Sequence, residues 1–225
     1  TYFIWAKKSL QQKIFKRLFN LGFPTALQML FEVAIFTASV FLAGTLGTNA
    51  QAANQVALNL SSMTFMIAVG IGVTATIRVG NQKGQHNYEE LRRIAFSTFF
   101  LVFIIEAFFA LGFILLKDLL PVFYIDNAEV IALAAQLLIV AALFQSSDGL
   151  QVVILGALRG LQDVRYPTLI CFFAYWVIGF PVSYLLGKEN AMGSMGIWFG
   201  LLAGLSASSI LLYIRFNYLS KKLIE

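Results

Sequence analysis

Three acidic residues, Glu32, Glu106 and Asp148, lie inside long apolar runs of the sequence. An ionised carboxylate near the centre of a hydrocarbon layer costs at least about 2.5–3.5 kcal/mol on insertion scales, so such groups usually face a protein-lined cavity and serve transport. Glu32 and Asp148 are the stronger candidates, because polar residues accompany them at helical spacing. Gln28, Glu32 and Phe36 follow one another at steps of four, and Phe144, Asp148, Gln151 and Leu155 share one helical face. A third stripe, Gln55, Asn59, Ser62 and Met66, repeats at steps of four, three and four. On this spacing Gln28, Phe36, Asn59 and Gln151 are expected to line a cavity that holds the two acids. The alternative is that each acid is a protonated or hydrogen-bonded interior group, and that the amide stripes join helices within the membrane. Glu106 has only apolar neighbours a turn away, Val102, Phe103, Phe109 and Ala110, which points to a structural or interhelical role.

The elements that must position these residues are membrane spans. Of the 225 residues, 59% are apolar and 12% charged, against roughly 45–50% and about 25% in soluble domains. About 20 apolar residues in a helix cross a hydrocarbon core. Six stretches qualify, at 18–46, 52–79, 94–116, 130–158, 166–187 and 196–216. Residues 1–17 form a basic lead-in, 18–216 a six-helix lobe and 217–225 a tail, so the fold class is all-α integral membrane protein. No charge separates Glu32 from Arg78, yet Gly44, Gly47 and Asn49 break the run into two helices joined by a tight turn. Pro24 and Pro181 fall within spans and are expected to kink them. The stripe Gly196, Gly200, Gly204 and Ser208, and the pair Gly156 and Gly160, are expected to let helix backbones approach closely.

Basic residues fix the orientation, since they resist translocation. With the amino terminus inside, Lys7, Lys8, Lys13, Lys16, Arg17, Arg78, Lys83, Arg92, Arg93, Arg159, Arg165, Arg215, Lys221 and Lys222 are all cytoplasmic. Only Lys117 and Lys188 fall outside, and both termini are cytoplasmic. The formal charge of +5 therefore reflects topology and not nucleic-acid binding. Arg78 reads as an anchor that snorkels to the headgroups. A lone cysteine, Cys171, allows neither an internal disulfide nor a thiolate metal cluster. The single histidine, His86, sits in a loop, and no HExxH, GxSxG or GKS/T motif occurs, which disfavours a protease, an ATP-driven pump and enzymes generally. No secretory signal precedes the first run, and the opening at Thr1 predicts an upstream segment.

Taken in order, four blocks resemble the multidrug and toxic compound extrusion (MATE) transporters of the NorM type. They are LGFPTALQMLFEVAIF around Glu32, AANQVALNLSSMTFMIAVGIGVTATIRVGNQKGQ from Ala52 to Gln85, LFQSSDGLQVVILGALRGLQD around Asp148, and AYWVIGFPVSYLLG from Ala174 to Gly187. The resemblance implies twelve helices in two six-helix lobes, this chain being the carboxy-terminal lobe. It implies that Glu32 and Asp148 take part in cation coupling, as sodium ligands if the ion is sodium, and that no cofactor is needed beyond sodium or a proton. Phe144 stands where the family often has tyrosine, which keeps a ring for a cation-π contact without the hydroxyl. Ala53, Asn54 and Gln55 replace a common Ala-His-Gln, so that titratable histidine is absent.

The expected activity is export of amphipathic organic cations in exchange for sodium or protons, in a bacterial inner membrane. The partners implied are those substrates, the lipid bilayer, and either the amino-terminal lobe or a second copy of this chain. A lipid-linked sugar flippase would call for a cationic cavity, and a non-transporting interaction subunit would need neither acid. A reporter active only in the cytoplasm is expected to be active when fused after Gln85 and silent when fused after Lys117; the reverse pattern would overturn the assigned orientation.

Overall fold

The computed structural model describes residues 12–188 and 191–224; Lys7, Lys8 and the side chain of Lys13 lie outside what it describes. Six long helices follow one another: α1 (Gln12–Thr45), α2 (Thr48–Gly84), α3 (Tyr88–Leu115), α4 (Ala128–Gly160), α5 (Arg165–Leu186) and α6 (Gly193–Lys222). Each is long and apolar enough to cross a membrane. They outrun the expected spans at the basic ends. The six residues 12–17 of the lead-in belong to α1, and α6 continues through the tail to Lys222, because a helix once begun extends at little cost. Lys221 and Lys222 in the last turn of α6 also complement its dipole.

Leu46 and Gly47 alone join α1 to α2. Gly47 adopts φ 107°, outside the range of ordinary side chains, so the reversal depends on glycine there. A 3-10 turn at Leu120–Phe123 leads into α4, whose first turn is capped by the Asn127 side chain accepting from the Glu129 and Val130 amides.

Helix α4 is the central element and packs against α2, α3 and α6, while α1 lies at the edge and leans mainly on α5. Within a bilayer apolar burial gives little drive for helices to associate, so close packing must hold the bundle. The α2–α4 contact shows how. A Cβ added to Gly156 would lie 2.2 Å from the Gly72 carbonyl oxygen, and one at Gly160 would lie 2.7 Å from the Thr76 carbonyl oxygen. Thr76 spans the same seam, its hydroxyl donating to the Gly156 carbonyl at 2.9 Å. The glycine stripe of α6 does the same against α5: a Cβ at Gly196 would stand 2.0 Å from the Leu186 carbonyl oxygen, and one at Gly200 would stand 2.2 Å from the Ser183 nitrogen. Both small-residue patterns thus serve as packing seams, as their spacing indicates.

Helix α5 is not uniformly α-helical. Phe173–Gly179 winds as a π-helix just ahead of Pro181. Proline lacks the N–H that would bond back to residue 177 and its ring presses on that carbonyl, so widening the preceding turns relieves the conflict. At Pro24 of α1 the carbonyl accepts from the Thr168 hydroxyl at 2.8 Å, which ties α1 to α5.

Most of the basic residues gather at one end, while Lys117 and Lys188 lie at the other. Arg17 donates to Gln162, Lys83 to the Leu161 carbonyl, Arg92 to Asn217 and Ser220, and Arg215 pairs with Asp163 at 2.8 Å while lying over the Tyr166 ring. The opposite end is joined by Asn49 donating to Glu129. Between the ends, large side chains such as Val33, Phe100 and Ile104 are exposed, as a hydrocarbon surround requires. Gly156→Leu is expected to force α2 and α4 apart and to cost about 1–3 kcal/mol, read as a lowered unfolding temperature in detergent; an unchanged temperature would contradict the seam.

Candidate functional site

Because α2 is drawn onto α4 by glycine and α1 leans on α5, a wedge stays open between α1 and α2. It forms a cavity of about 440 Å³. Met29, Glu32, Val33 and Phe36 line it from α1, residues from Gln55 to Val69 line it from α2, and Phe144, Asp148, Val152 and Arg159 line it from α4. The structure therefore brings Glu32, Asp148, Phe36, Phe144 and Asn59 to one place. Gln55 and Ser62 join them, whereas Met66 is turned outward.

The two acids are poorly satisfied. Asp148 is 5% exposed, and its Oδ1 is buried with no hydrogen-bond partner. Glu32 is half-buried and accepts no hydrogen bond from the described residues. Nearby, the Ser61 hydroxyl, the Gln28 amide nitrogen and the Arg159 Nε are likewise buried and unpartnered. Native interiors leave few such groups, since each costs about 1–3 kcal/mol, so their concentration around one cavity marks a place for a polar occupant. The donor set for a cation is oxygen only, namely two carboxylates with amide and hydroxyl oxygens from α2. Hard ions prefer that chemistry. Among the described residues no three His, Cys, Asp or Glu side chains converge as a resident metal site would need.

Aromatic rings build one wall. Phe36 meets Phe144 edge-on at 5.9 Å between centroids, and Phe144 meets Trp198 of α6 at 5.3 Å. Behind them the Trp198 indole N–H donates to Asn54 Oδ1 at 2.9 Å. Tyr124, after α3, donates to Asn59 Oδ1 at 3.0 Å at the side of the cavity away from the basic end.

Gln28 and Gln151 do not line the cavity, contrary to the helical-stripe expectation. Gln28 is 2% exposed and accepts from Arg159 Nη2 at 2.8 Å, and Gln151 is fully buried and donates to the Tyr175 hydroxyl on α5. Both sit on the expected helices, but neighbouring helices claim their amides. Glu106 is 1% exposed at the α3–α4 contact, with both carboxylate oxygens unpartnered. Its Cγ would stand 2.7 Å from a Cβ on Gly149, so it lies directly behind the residue next to Asp148. Gln145 braces this corner, donating to the Glu106 carbonyl and accepting from Thr64, each at 3.2 Å.

A family model described as MatE matches residues 24–185. The chain belongs to the MatE family. Its curated relatives include Multidrug resistance protein MdtK of Proteus mirabilis, 40% identical over 211 residues, covering 92% of this chain and 46% of that protein. Multidrug resistance protein NorM of Photobacterium profundum is 39% identical over 220 residues, covering 96% and 48%. A crystal structure described as MATE in the bent conformation superposes with a TM-score of 0.88 at 17% identity, over 96% of this chain and 48% of that one, which shows the shared fold. The chain spans about half the length of the curated relatives it matches. Its six helices are one lobe of the MATE fold.

Two residues of this MatE site escaped the sequence reading. Arg159 counts as a topology charge at the end of α4, yet it lies eleven positions, or about three turns, after Asp148 and so on nearly the same face. That offset was the available signal. Asn54 registers only as a departure from Ala-His-Gln, and nothing in the sequence links it to Trp198, which is 144 positions away. Asn54→Leu leaves the buried indole N–H without an acceptor and is expected to cost about 1–3 kcal/mol in thermal unfolding. Asn54→His, whose ring nitrogen can accept the same bond, is expected to lose less.

Proposed function

We propose that this chain is the carboxy-terminal lobe of a multi-pass antiporter that exports amphipathic organic cations and drugs from a bacterial cell in exchange for sodium or protons. Glu32 and Asp148 are its coupling residues, and Phe36 and Phe144 offer ring faces to an apolar cation. The observation that carries the reading is the pairing of two acids from different helices in one cavity, with Asp148 bare. Inside a bilayer that arrangement favours occupation by a small positive ion, which offsets charge that water cannot reach. Occupation favours whichever packing of the lobe holds the ion better, and only that difference in affinity can move the transporter between its states. The relatives' names, multidrug resistance proteins, support transport over enzymatic chemistry.

In this reading the other six-helix lobe completes the substrate path, the membrane is the inner membrane, and both termini of this segment face the cytoplasm. Two acids against the single Arg159 give the cavity a negative balance. That balance argues against a pyrophosphate-bearing lipid as cargo. The test is gradient-driven ethidium efflux by the transporter that contains this chain. Glu32→Gln or Asp148→Asn is expected to lower it by about 5–150-fold, the range that ~1–3 kcal/mol of coupling spans. Full gradient-dependent efflux in both variants would remove the assignment.

A further inference from the structure

Arg159 is the one cation among the residues lining the acidic cavity. Its guanidinium rests on Gln28 at 2.8 Å, and Gln28 precedes Glu32 by one helical turn, which puts the two side chains within about 6 Å of each other at Cβ. The guanidinium and the Glu32 carboxylate line the same cavity. Its Nε is buried without a partner, and so is the amide nitrogen of Gln28. A cation with an unspent donor, held on the residue one turn before an acid that accepts no hydrogen bond from the described residues, is poised to move between an amide and a carboxylate. Arginine suits this task because its planar fork stays charged in any surround and can bind a carboxylate through two parallel bonds.

We propose that Arg159 is a tethered counter-ion that takes up the charge of Glu32 whenever the coupling cation is absent, and returns to Gln28 when that cation enters. The inference rests on the coupling role proposed above for the two acids. It adds a competitor built into the protein. By offsetting the Glu32 carboxylate in the ion-free state, Arg159 makes that state accessible during the exchange of ion for drug and weakens cation binding enough for release. The groups facing this equilibrium are Glu32 from α1, Asp148 from α4, Glu106 from α3 behind Gly149, and Cys171 and Tyr175 from α5; α2 presents only amides and hydroxyls.

The experiment measures ethidium efflux by the reconstituted transporter containing this chain, titrated with sodium at fixed pH and with pH in the absence of sodium. Arg159→Gln is expected to lower the half-saturating concentration of the coupling cation about tenfold while reducing the maximal rate, because a competitor has gone and release has slowed. Arg159→Lys, which keeps the charge, is expected to stay near the parent value. Gln28→Leu removes the resting place, releases the guanidinium toward Glu32 and is expected to move half-saturation the opposite way. An unmoved or raised half-saturation in Arg159→Gln, or Gln28→Leu moving it in the same direction as Arg159→Gln, would overturn the counter-ion role. Should Arg159→Gln fail to fold, the direction in Gln28→Leu decides alone. If Glu32→Gln and Asp148→Asn retain full coupled efflux, the coupling reading itself falls. If those two lose coupling and half-saturation ignores Arg159, only the counter-ion falls.

Discussion

The lobe depends on the approach of α2 to α4 at backbone contact. In hydrocarbon the apolar side chains of a helix are as comfortable against lipid as against protein, so a bundle must be held by contacts that lipid cannot match. Glycines at 72, 156 and 160 bring carbonyls and Cα atoms together without intervening side chains. Once α4 is pinned there, α3 and α6 pack on its remaining faces, and the rings of Trp198 and Phe144 interlock behind the seam. Helix α1 finds no such surface on α2, although Leu46 and Gly47 alone separate them in the chain. It leans on α5, and the resulting gap is the cavity.

That gap is where the molecule tolerates charge it could not otherwise hold. A membrane protein places acids inside only where protein or water shields them, and here a cavity of about 440 Å³ receives one from each of two helices. The surrounding side chains do not neutralise them. Gln28 is engaged by Arg159, Gln151 by Tyr175 and Gln145 by Thr64 and the Glu106 backbone, so none of these three amides bonds an acid side chain. Asp148 is left with a bare oxygen. Structural polar networks tend to satisfy their members, and a network that leaves its acids open is arranged for an incoming group.

The aromatic wall and the π-helical segment give the site a rigid side and an irregular one. Asn54 fixes the Trp198 indole, which backs Phe144 and, through it, Phe36. Across the bundle, Pro181 widens the turns of α5 from Phe173 to Gly179, the stretch that carries Tyr175 toward Gln151. Membrane helices accept such breaks where neighbours re-satisfy the freed groups. Here the glycine seam with α6 presses directly on that segment, a Cβ on Gly204 lying 3.0 Å from the Gly179 Cα.

Much of this was legible in the residues. Apolar runs of spanning length determined six helices, Gly47 determined the tight reversal between the first two, and the four-residue spacing of glycines marked the seams. Those are local properties, written in hydropathy, in backbone freedom and in a period that any single helix must obey. Which polar side chain faces the cavity was not local. Gln28, Glu32 and Phe36 share a stripe, yet Gln28 turned to Arg159 while the other two reached the wedge, and Arg159 left the set of topology charges to enter it. A helical period gives the rotation of a residue about its own axis and says nothing of which neighbour stands opposite. Residues more than a hundred positions apart met only when the helices packed, and that meeting decided which acids stayed bare.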